Sequence, residues 1–184
     1  MTTVTCTKPQ AAARQLDVAI SLLFADYDPL AIRTIAAAAY GVFSDLVEYK
    51  NPGESWRSKI IEGTGLSPKE AKKLLHNVQN YLKHADTDPE AELSFDETES
   101  DQVIFVATLE SGVLGYPLSL DMQAFQIWYL AAYPEQIGHD SGPVLKSRKL
   151  LPDLGSLSRE EQLKRGAQFV TLVKNRYAKD GIDF

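Results

Sequence analysis

The sequence predicts an all-α fold, a helical bundle of five to six principal helices, and three observations support this prediction. Apolar residues recur with the 3.6-residue period of a helix through most of the chain. Helix-start signals precede three of these segments, at Asp28-Pro29, Ser67-Pro68-Lys69-Glu70 and Ser158-Arg159-Glu160-Glu161. Turns that contain proline or glycine, such as Asn51-Pro52-Gly53, separate the segments.

Four helices are predicted in the first half of the chain. Their approximate ranges are 10–25, 29–47, 55–62 and 67–85. The second is apolar on nearly all sides and contains Ala36-Ala37-Ala38-Ala39, so we expect a central helix that its neighbours approach closely. Pro89 follows the fourth helix, and because proline disfavours helix at the preceding residue, we end that helix near Ala85.

The second half of the chain is predicted to be helical, with one irregular connection. Residues 90–102 carry acidic side chains typical of a solvated loop. Residues 103–106 have strand propensity, but Leu109, Val113 and Leu114 extend a helical period, which favours a helix over 100–114. Further helices are predicted over 118–132 and 156–178, the latter an added C-terminal helix. We expect residues 1–9 to be flexible, 138–155 to be irregular, and 1–184 to form one domain.

Composition excludes several classes of protein. The 184 residues are 44% hydrophobic and 24% charged, which provides a sizeable core and excludes wholesale disorder. The 19 Lys and Arg residues against 25 Asp and Glu residues give a net charge of -6. This acidic balance argues against a general nucleic-acid coat protein but permits a local basic face.

The single cysteine and the absence of several motifs exclude further kinds of site and protein class. Because Cys6 is alone, the chain has no intramolecular disulfide and no zinc site built on two or more of its own cysteines. The sequence has no signal-peptide pattern, no run of about 18 apolar residues, no Gly-rich phosphate loop and no HExxH pattern. We therefore expect a cytoplasmic protein without membrane contact, metal or cofactor.

The predicted helix 67–85 carries a pattern of polar residues that suggests chemistry. At 100° per residue, one of its faces is apolar. The members of that face are Leu74, Leu75, Val78, Tyr81, Leu82 and Ala85. His76, Asn80 and His84 form a ridge beside it, spaced by four positions. The lysines on the remaining surface are Lys69, Lys72, Lys73 and Lys83. The helix therefore has a basic side with imidazole and amide groups.

Part of this helix resembles a known motif. Residues 79–84, Gln-Asn-Tyr-Leu-Lys-His, resemble the R-x4-H motif of HEPN domains, the higher eukaryotes and prokaryotes nucleotide-binding family. Residues 80–89 are similar to an N-[FY]-[FL]-K-H-A-D-x-D-P segment of an uncharacterised bacterial family, and the Ala-rich residues 31–46 look similar to the same family. The likeness covers residues 1 to about 130.

The resemblance implies a fold and a site. HEPN domains are up-and-down bundles of four or five helices that usually dimerise through the motif helix, and many are metal-independent RNases of toxin–antitoxin or anti-phage systems. Their arginine is thought to stabilise charge on the phosphorane while the histidine acts as acid and base. In this chain Asn80 and His84 match the motif and are the candidate catalytic residues, whereas position 79 is Gln. The candidate binding residues are Gln79, His76, Lys73, Lys83 and Arg33.

The functional hypotheses differ in whether a chain with glutamine at position 79 can still cleave RNA. A missing cation removes electrostatic stabilisation, typically the largest catalytic contribution. The first hypothesis is therefore a homodimeric, HEPN-like binding or regulatory module for RNA, a nucleotide or a protein. The first alternative is an active metal-independent RNase that uses His84, with Arg33 or Lys83 supplying the charge. The second alternative is a purely structural or protein-interaction bundle, with an apolar patch formed by Trp128, Tyr129 and the C-terminal helix.

Each candidate residue also has a structural interpretation. His84 lies in a last helical turn, where imidazole can bond the terminal carbonyls. Arg33 is expected to pair with Asp45 or with an acidic residue of another helix. Asp86 and Asp88 are more typical of capping than of a metal site with His84. The aromatic residues expected in the core or an interface are Phe125, Trp128, Tyr129 and Tyr133. The run His139-Asp140-Ser141 contains the residue types of a hydrolase triad but lacks a nucleophile-elbow motif.

Overall fold

The computed structural model describes residues 3–64, 67, 77–84, 86 and 89–180, and every regular element in these ranges is helical. The prediction of an all-α helical bundle is therefore confirmed, whereas the HEPN-like topology stays a prediction. The helices of the first half are α1 (Lys8–Phe24), α2 (Pro29–Lys50), α3 (Trp56–Thr64) and the helical residues 77–83, which we call α4. Those of the second half are α5 (Thr98–Val113), α6 (Leu120–Ala132), α7 (Pro134–Ile137), α8 (Gly142–Leu150), a 3-10 turn (Leu154–Ser156) and α9 (Arg159–Asp180).

The chain divides into two compact units. The first unit contains the residues up to Ala19 together with Asp28–Pro117, and the second contains Ile20–Tyr27 together with the chain from Leu118 onward. Helix α1 therefore contributes to both units. The expectation of one domain over the whole chain stays a prediction.

Local capping interactions explain several helix starts. Asp28 Oδ1 accepts hydrogen bonds from the amides of Leu30 at 2.9 Å and Ala31 at 3.1 Å, as its predicted N-cap role requires. Helix α1 begins at Lys8, two positions before the predicted start. The reason is a capping box that the sequence reading missed, in which Thr7 N donates to Gln10 Oε1 and Gln10 N donates to Thr7 Oγ1.

In the first unit, α2 packs mainly against α5. The buried apolar side chains of these two helices are Ile32, Ala36, Ala37, Ala39, Tyr40, Phe43, Val47, Ile104, Phe105 and Ala107. Helix α2 is long and apolar enough to cross a membrane by length and composition, with a mean hydropathy of 1.4 over 18 residues, but half of that window is buried inside the protein. A buried core helix has the same composition, in agreement with the central position predicted for α2.

Helix α5 resolves the ambiguity between strand and helix over residues 103–106. It runs from Thr98 to Val113, so the helical period prevails over the local strand propensity. The predicted acidic loop is correspondingly shorter, because Glu99 and Asp101 belong to the first turn of this helix. Carboxylates there are favoured by the partial positive charge of a helix N-terminus.

The prediction that residues 138–155 are irregular was wrong. They contain α8 and a 3-10 turn. Pro143 occupies the first turn of α8, a position that proline favours, and Val144 and Ser147 give the helix a short buried face that packs in the second unit with α6. Glycine and proline in this stretch mark the ends of short elements rather than one long loop.

The second unit has an aromatic core. The ring centroids of Phe24 and Trp128 lie 5.2 Å apart in an edge-to-face arrangement, and Trp128 Nε1 donates to the carbonyl of Gln162 at 2.8 Å. Trp128 and Tyr129 are buried, which confirms the core interpretation of these aromatic residues. They are therefore not part of the exposed apolar patch that the interaction-bundle alternative required.

Candidate functional site

The structure separates the residues of the motif-like segment. Asn80, Lys83 and His84 are exposed at the end of α4, whereas only 8% of Gln79 is accessible. Lys73 and His76, two further candidate binding residues, lie outside the described residues. The surface that can be described therefore consists of an amide, an ammonium and an imidazole group.

Helical geometry accounts for this separation. Positions 79 and 84 are five residues apart, which at 100° per residue places their side chains about 140° apart around the helix axis. Gln79 consequently faces the interior, where it makes polar or packing interactions. In this chain the group at the arginine position of the motif is therefore buried, whereas His84 is exposed.

His84 itself is open to solvent. Its side chain is 62% exposed, and its Nδ1 atom lies 4.0 Å from Oδ1 of Asp86. Its amide donates to the carbonyl of Asn80 at 3.0 Å, which continues the helical hydrogen-bond pattern to this residue. One turn earlier in the same segment, Tyr81 Oη donates to the carbonyl of Ala91 at 2.8 Å and ties α4 to the acidic connection before α5.

Arg33 lies in the interior of the first unit. Its Nη1 atom donates to the carbonyl of Glu99 at 3.2 Å, and only 4% of the residue is exposed. Burial lowers the pKa of Arg33, and the negative charge of Glu99 opposes this shift. Asp45, the first partner considered, instead pairs with Arg57 at 3.0 Å. Arg33 thus has an acidic neighbour on another helix, and its burial removes it from the solvent-exposed surface.

A polar cluster that the sequence reading missed surrounds the start of α3. Glu48 Oε1 accepts hydrogen bonds from the hydroxyls of Ser55 and Ser58, and Glu48 Oε2 accepts from the amide of Gly53 at 3.1 Å. The two serine hydroxyls lower the pKa of Glu48 to about 2, since hydrogen bonds to a carboxylate favour its charged form. Glu48 therefore holds the turn before α3 and its first residues together.

Glu110 of α5 supports the same helix start from the interior. Its Oε1 atom accepts from the amide of Trp56 at 3.0 Å, and the residue is fully buried. Burial raises the pKa of Glu110, opposed by the hydrogen bond from Trp56. Burial also raises the pKa of Tyr40, and Ser44 is near enough to Tyr40 and Glu110 to oppose both shifts. Ser44 Oγ, Tyr40 Oη and Glu110 Oε2 nevertheless lack well-formed hydrogen bonds.

This cluster had a visible signal in the sequence. Tyr40, Ser44 and Glu48 are spaced by four positions and form a polar ridge on an otherwise apolar helix. Two glutamates with pKa values moved in opposite directions are also found in acid–base enzymes. Here both carboxylates accept backbone or hydroxyl hydrogen bonds at the start of α3, so their geometry fits a structural role.

His139 lies beside a cavity in the second unit. Its Nδ1 atom is 2.9 Å from Oε1 of Glu135, and its Nε2 atom is 2.7 Å from Nη1 of Arg148. Within the described residues, the imidazole thus contacts Glu135 and Arg148 rather than the neighbouring Asp140 and Ser141 suggested by the sequence order. Among the described residues, no three His, Cys, Asp or Glu side chains are placed to hold a metal ion.

No known family, curated protein or solved structure matches this chain. The resemblance to HEPN domains therefore rests on the short segment of residues 79–84.

Proposed function

We propose that this protein is a HEPN-like, non-catalytic binding module whose α4 surface contacts the phosphates of RNA or of a nucleotide. The proposal rests on one observation: Gln79 is buried, while Asn80, Lys83 and His84 are exposed. The residues that can bind a partner are thus accessible, and the position where the resembling RNases carry their arginine is turned inward.

The exposed residues suit phosphate recognition. Lys83 has no ion-pair partner within the described part of the chain, so its ammonium group is available to a phosphate oxygen. Asn80 offers amide donors and an acceptor, and His84 offers a donor in either protonation state. A cation with flanking hydrogen-bonding groups is the usual composition of a phosphate-contacting surface.

The same geometry disfavours cleavage. Phosphodiester cleavage requires stabilisation of the charge that develops on the phosphorus-bound oxygens, and this stabilisation depends on donors held in position beforehand. Gln79 is uncharged and buried, and Arg33 is buried and bonded to Glu99. Neither residue supplies a preorganised cation next to His84. The ammonium group of Lys83 is exposed beside His84, but no ion pair within the described residues holds it in position.

The proposal includes a homodimer, as the resemblance implies. Two copies facing each other through α4 would bring two Lys83 and two His84 side chains to one groove. This arrangement doubles the local positive charge available to a single RNA strand, although the chain as a whole is acidic. Analytical ultracentrifugation of the full chain tests this part of the proposal, with a dimer expected and a monomer at all concentrations contradicting it.

Fluorescence anisotropy with a labelled single-stranded RNA of about ten nucleotides tests the binding function. The Lys83→Ala/His84→Ala double variant should weaken binding by about tenfold, which corresponds to about 1.4 kcal/mol. The matched control is Lys50→Ala/His139→Ala, which removes one exposed lysine and one exposed histidine elsewhere. Equal affinities for both double variants, or no binding by the unmodified chain, would refute the proposal.

The RNase alternative is tested with the same RNA. After prolonged incubation with the purified protein, denaturing gels should show intact RNA. Cleavage that is lost in the His84→Ala variant and retained in the His139→Ala variant would replace the binding-module proposal with the ribonuclease.

A further inference from the structure

A cavity of about 380 Å³ lies within the second unit, among the end of α6, the short helix α7, α8 and the 3-10 turn. Its volume is near the lower end of the range of small-molecule sites, about 300–1,000 Å³. The carboxylate, imidazole and guanidinium side chains that line it belong to Glu135, His139, Arg148 and Asp153. The cavity thus combines groups of both signs in a space that fits a small molecule.

Arg148 forms the positive part of the cavity wall. Because a guanidinium only donates, its 2.7 Å contact makes His139 Nε2 the acceptor and leaves Nδ1 as the donor of the imidazole. That Nδ1–H group donates to Glu135 Oε1 at 2.9 Å. One of the five guanidinium N–H groups is used in this way, and the others have no protein partner among the described residues. They form an oriented fork that matches a carboxylate.

Asp153 forms the negative part. Its carboxylate has no partner within the described ranges, and its backbone is held in the left-handed region, with φ +58°, by Ser156, whose amide and hydroxyl both donate to the Asp153 carbonyl. The C-terminal residues Ala131 and Ala132 of α6 also line the cavity, and a helix C-terminus carries partial negative charge.

Gly155 fixes this wall close to the end of α6. A Cβ atom at Gly155 would lie 3.0 Å from the carbonyl oxygen of Ala132 and 3.4 Å from that of Ala131. The absence of a side chain therefore allows the 3-10 turn to approach the helix end closely. The turn that contains Asp153 and the end of α6 therefore form adjoining parts of the cavity wall.

We propose that this cavity binds a small zwitterion with the chemistry of an α-amino acid, its carboxylate on Arg148 and its ammonium on Asp153 and the C-terminal end of α6. A simple anion would meet the unpaired Asp153 carboxylate and the negative helix end. A simple cation would meet Arg148. A ligand that carries both charges satisfies both parts of the wall, and His139 and Glu135 act as positioning residues for Arg148.

NMR titration of the full chain tests this proposal, with the backbone amides of Gly155 and Ser156 as reporters. The probes are L-alanine and L-leucine, each compared with its two single-charge analogues: propionate and ethylamine, or 4-methylpentanoate and isopentylamine. Saturable shifts are expected with at least one amino acid, and binding of its analogues should be about tenfold weaker, a loss of about 1.4 kcal/mol.

The variants Arg148→Gln and Asp153→Asn should each weaken amino-acid binding by about tenfold. Their matched controls are Lys149→Gln and Asp140→Asn, which remove neighbouring exposed charges that do not line the cavity. Arg148→Lys keeps the positive charge but loses the two parallel N–H groups that match a carboxylate. This conservative variant should stay folded and still bind more weakly, which shows that weaker binding does not reflect unfolding. The absence of saturable shifts, equal binding of an amino acid and its carboxylate analogue, or unchanged binding by Arg148→Gln would overturn the proposal.

Discussion

Glu110 Oε1 accepts a hydrogen bond from the amide of Trp56 at 3.0 Å, which links the interior of α5 to the first residue of α3. The first amides of a helix have no partner within the helix, so the carboxylate satisfies a donor that would otherwise lack an acceptor in the protein. The position of α3 in the first unit thus depends on a residue 54 positions later in the chain.

The Glu110–Trp56 contact predicts how stability depends on the charge of Glu110. Burial raises its pKa above the usual value of 4.5, so its stabilising contribution is complete below that value and is lost as the pH rises through the pKa of the folded state. Glu110→Gln keeps an oxygen for the Trp56 amide without a charge. Urea unfolding should show that the stability of this variant does not fall as the pH rises above the pKa of Glu110. In that pH range its free energy of unfolding should equal or exceed that of the unmodified chain.

The companion variant Glu110→Ala removes the acceptor itself. It should be about 1–3 kcal/mol less stable than Glu110→Gln, because the partly buried amide of Trp56 then lacks its acceptor. If the alanine variant were as stable as the glutamine variant, the hydrogen bond would not support α3.

For Glu48 we predict that stability depends on pH in the opposite direction. Its pKa is lowered from 4.5 to about 2, so its contribution to stability is present above 4.5 and is lost as the pH falls towards 2. In Glu48→Gln, the urea midpoint should decrease less over this acidic interval than in the unmodified chain. Glu62→Gln, an exposed change on α3, is the control and should leave the interval unaltered. A Glu48→Gln profile that parallels that of the unmodified chain would contradict the assignment.

We predict that alanine substitutions at Gly166 and at Gly41 change the free energy of unfolding in opposite directions. A Cβ atom at Gly166 would lie 2.1 Å from Cε1 of Phe24, whose ring packs against Trp128. Gly166→Ala should therefore lower the free energy of unfolding by about 1–3 kcal/mol through overpacking. Gly41→Ala on α2, where nothing lies within 4 Å, should instead raise it by up to about 1 kcal/mol through helix propensity. Thermal unfolding of both variants measures the difference, and a stabilising Gly166→Ala would show that α9 packs differently against this ring.

Local sequence signals were sufficient to predict most of the helices, but they were insufficient to predict the polar contacts between distant residues. The Asp28 cap, the central α2 and the helix over residues 98–113 follow from residues that are close in sequence. The Glu110–Trp56 bond and the contact from Arg33 to Glu99 join residues 54 and 66 positions apart, and no local pattern specifies such pairs. Short helix α8 was missed because its buried face consists of only Val144 and Ser147.

The sequence was sufficient to predict which polar residues belong to the candidate site, but not which of them face the solvent. The sequence identified Asn80, Lys83 and His84 as polar residues of one helix, and the structure places all three at the surface. It did not reveal that Gln79 faces inward, because the packing of the helix decides which of two adjacent polar residues is buried. The cavity beside Arg148 was missed since its charged residues come from several short elements that only the fold brings together.

The Gln79→Arg variant tests the central claim most directly, because it restores the residue type of the resembling RNases at position 79. Since this position is buried, we expect the arginine to lower stability and to leave RNA binding by Lys83 and His84 in place without cleavage. The measurement is RNA cleavage by the purified, folded variant, followed on denaturing gels beside a Gln79→Arg/His84→Ala control. Intact RNA is the predicted result. Cleavage that depends on His84 would contradict the account, because it would show that residues 79 and 84 act on one exposed phosphate.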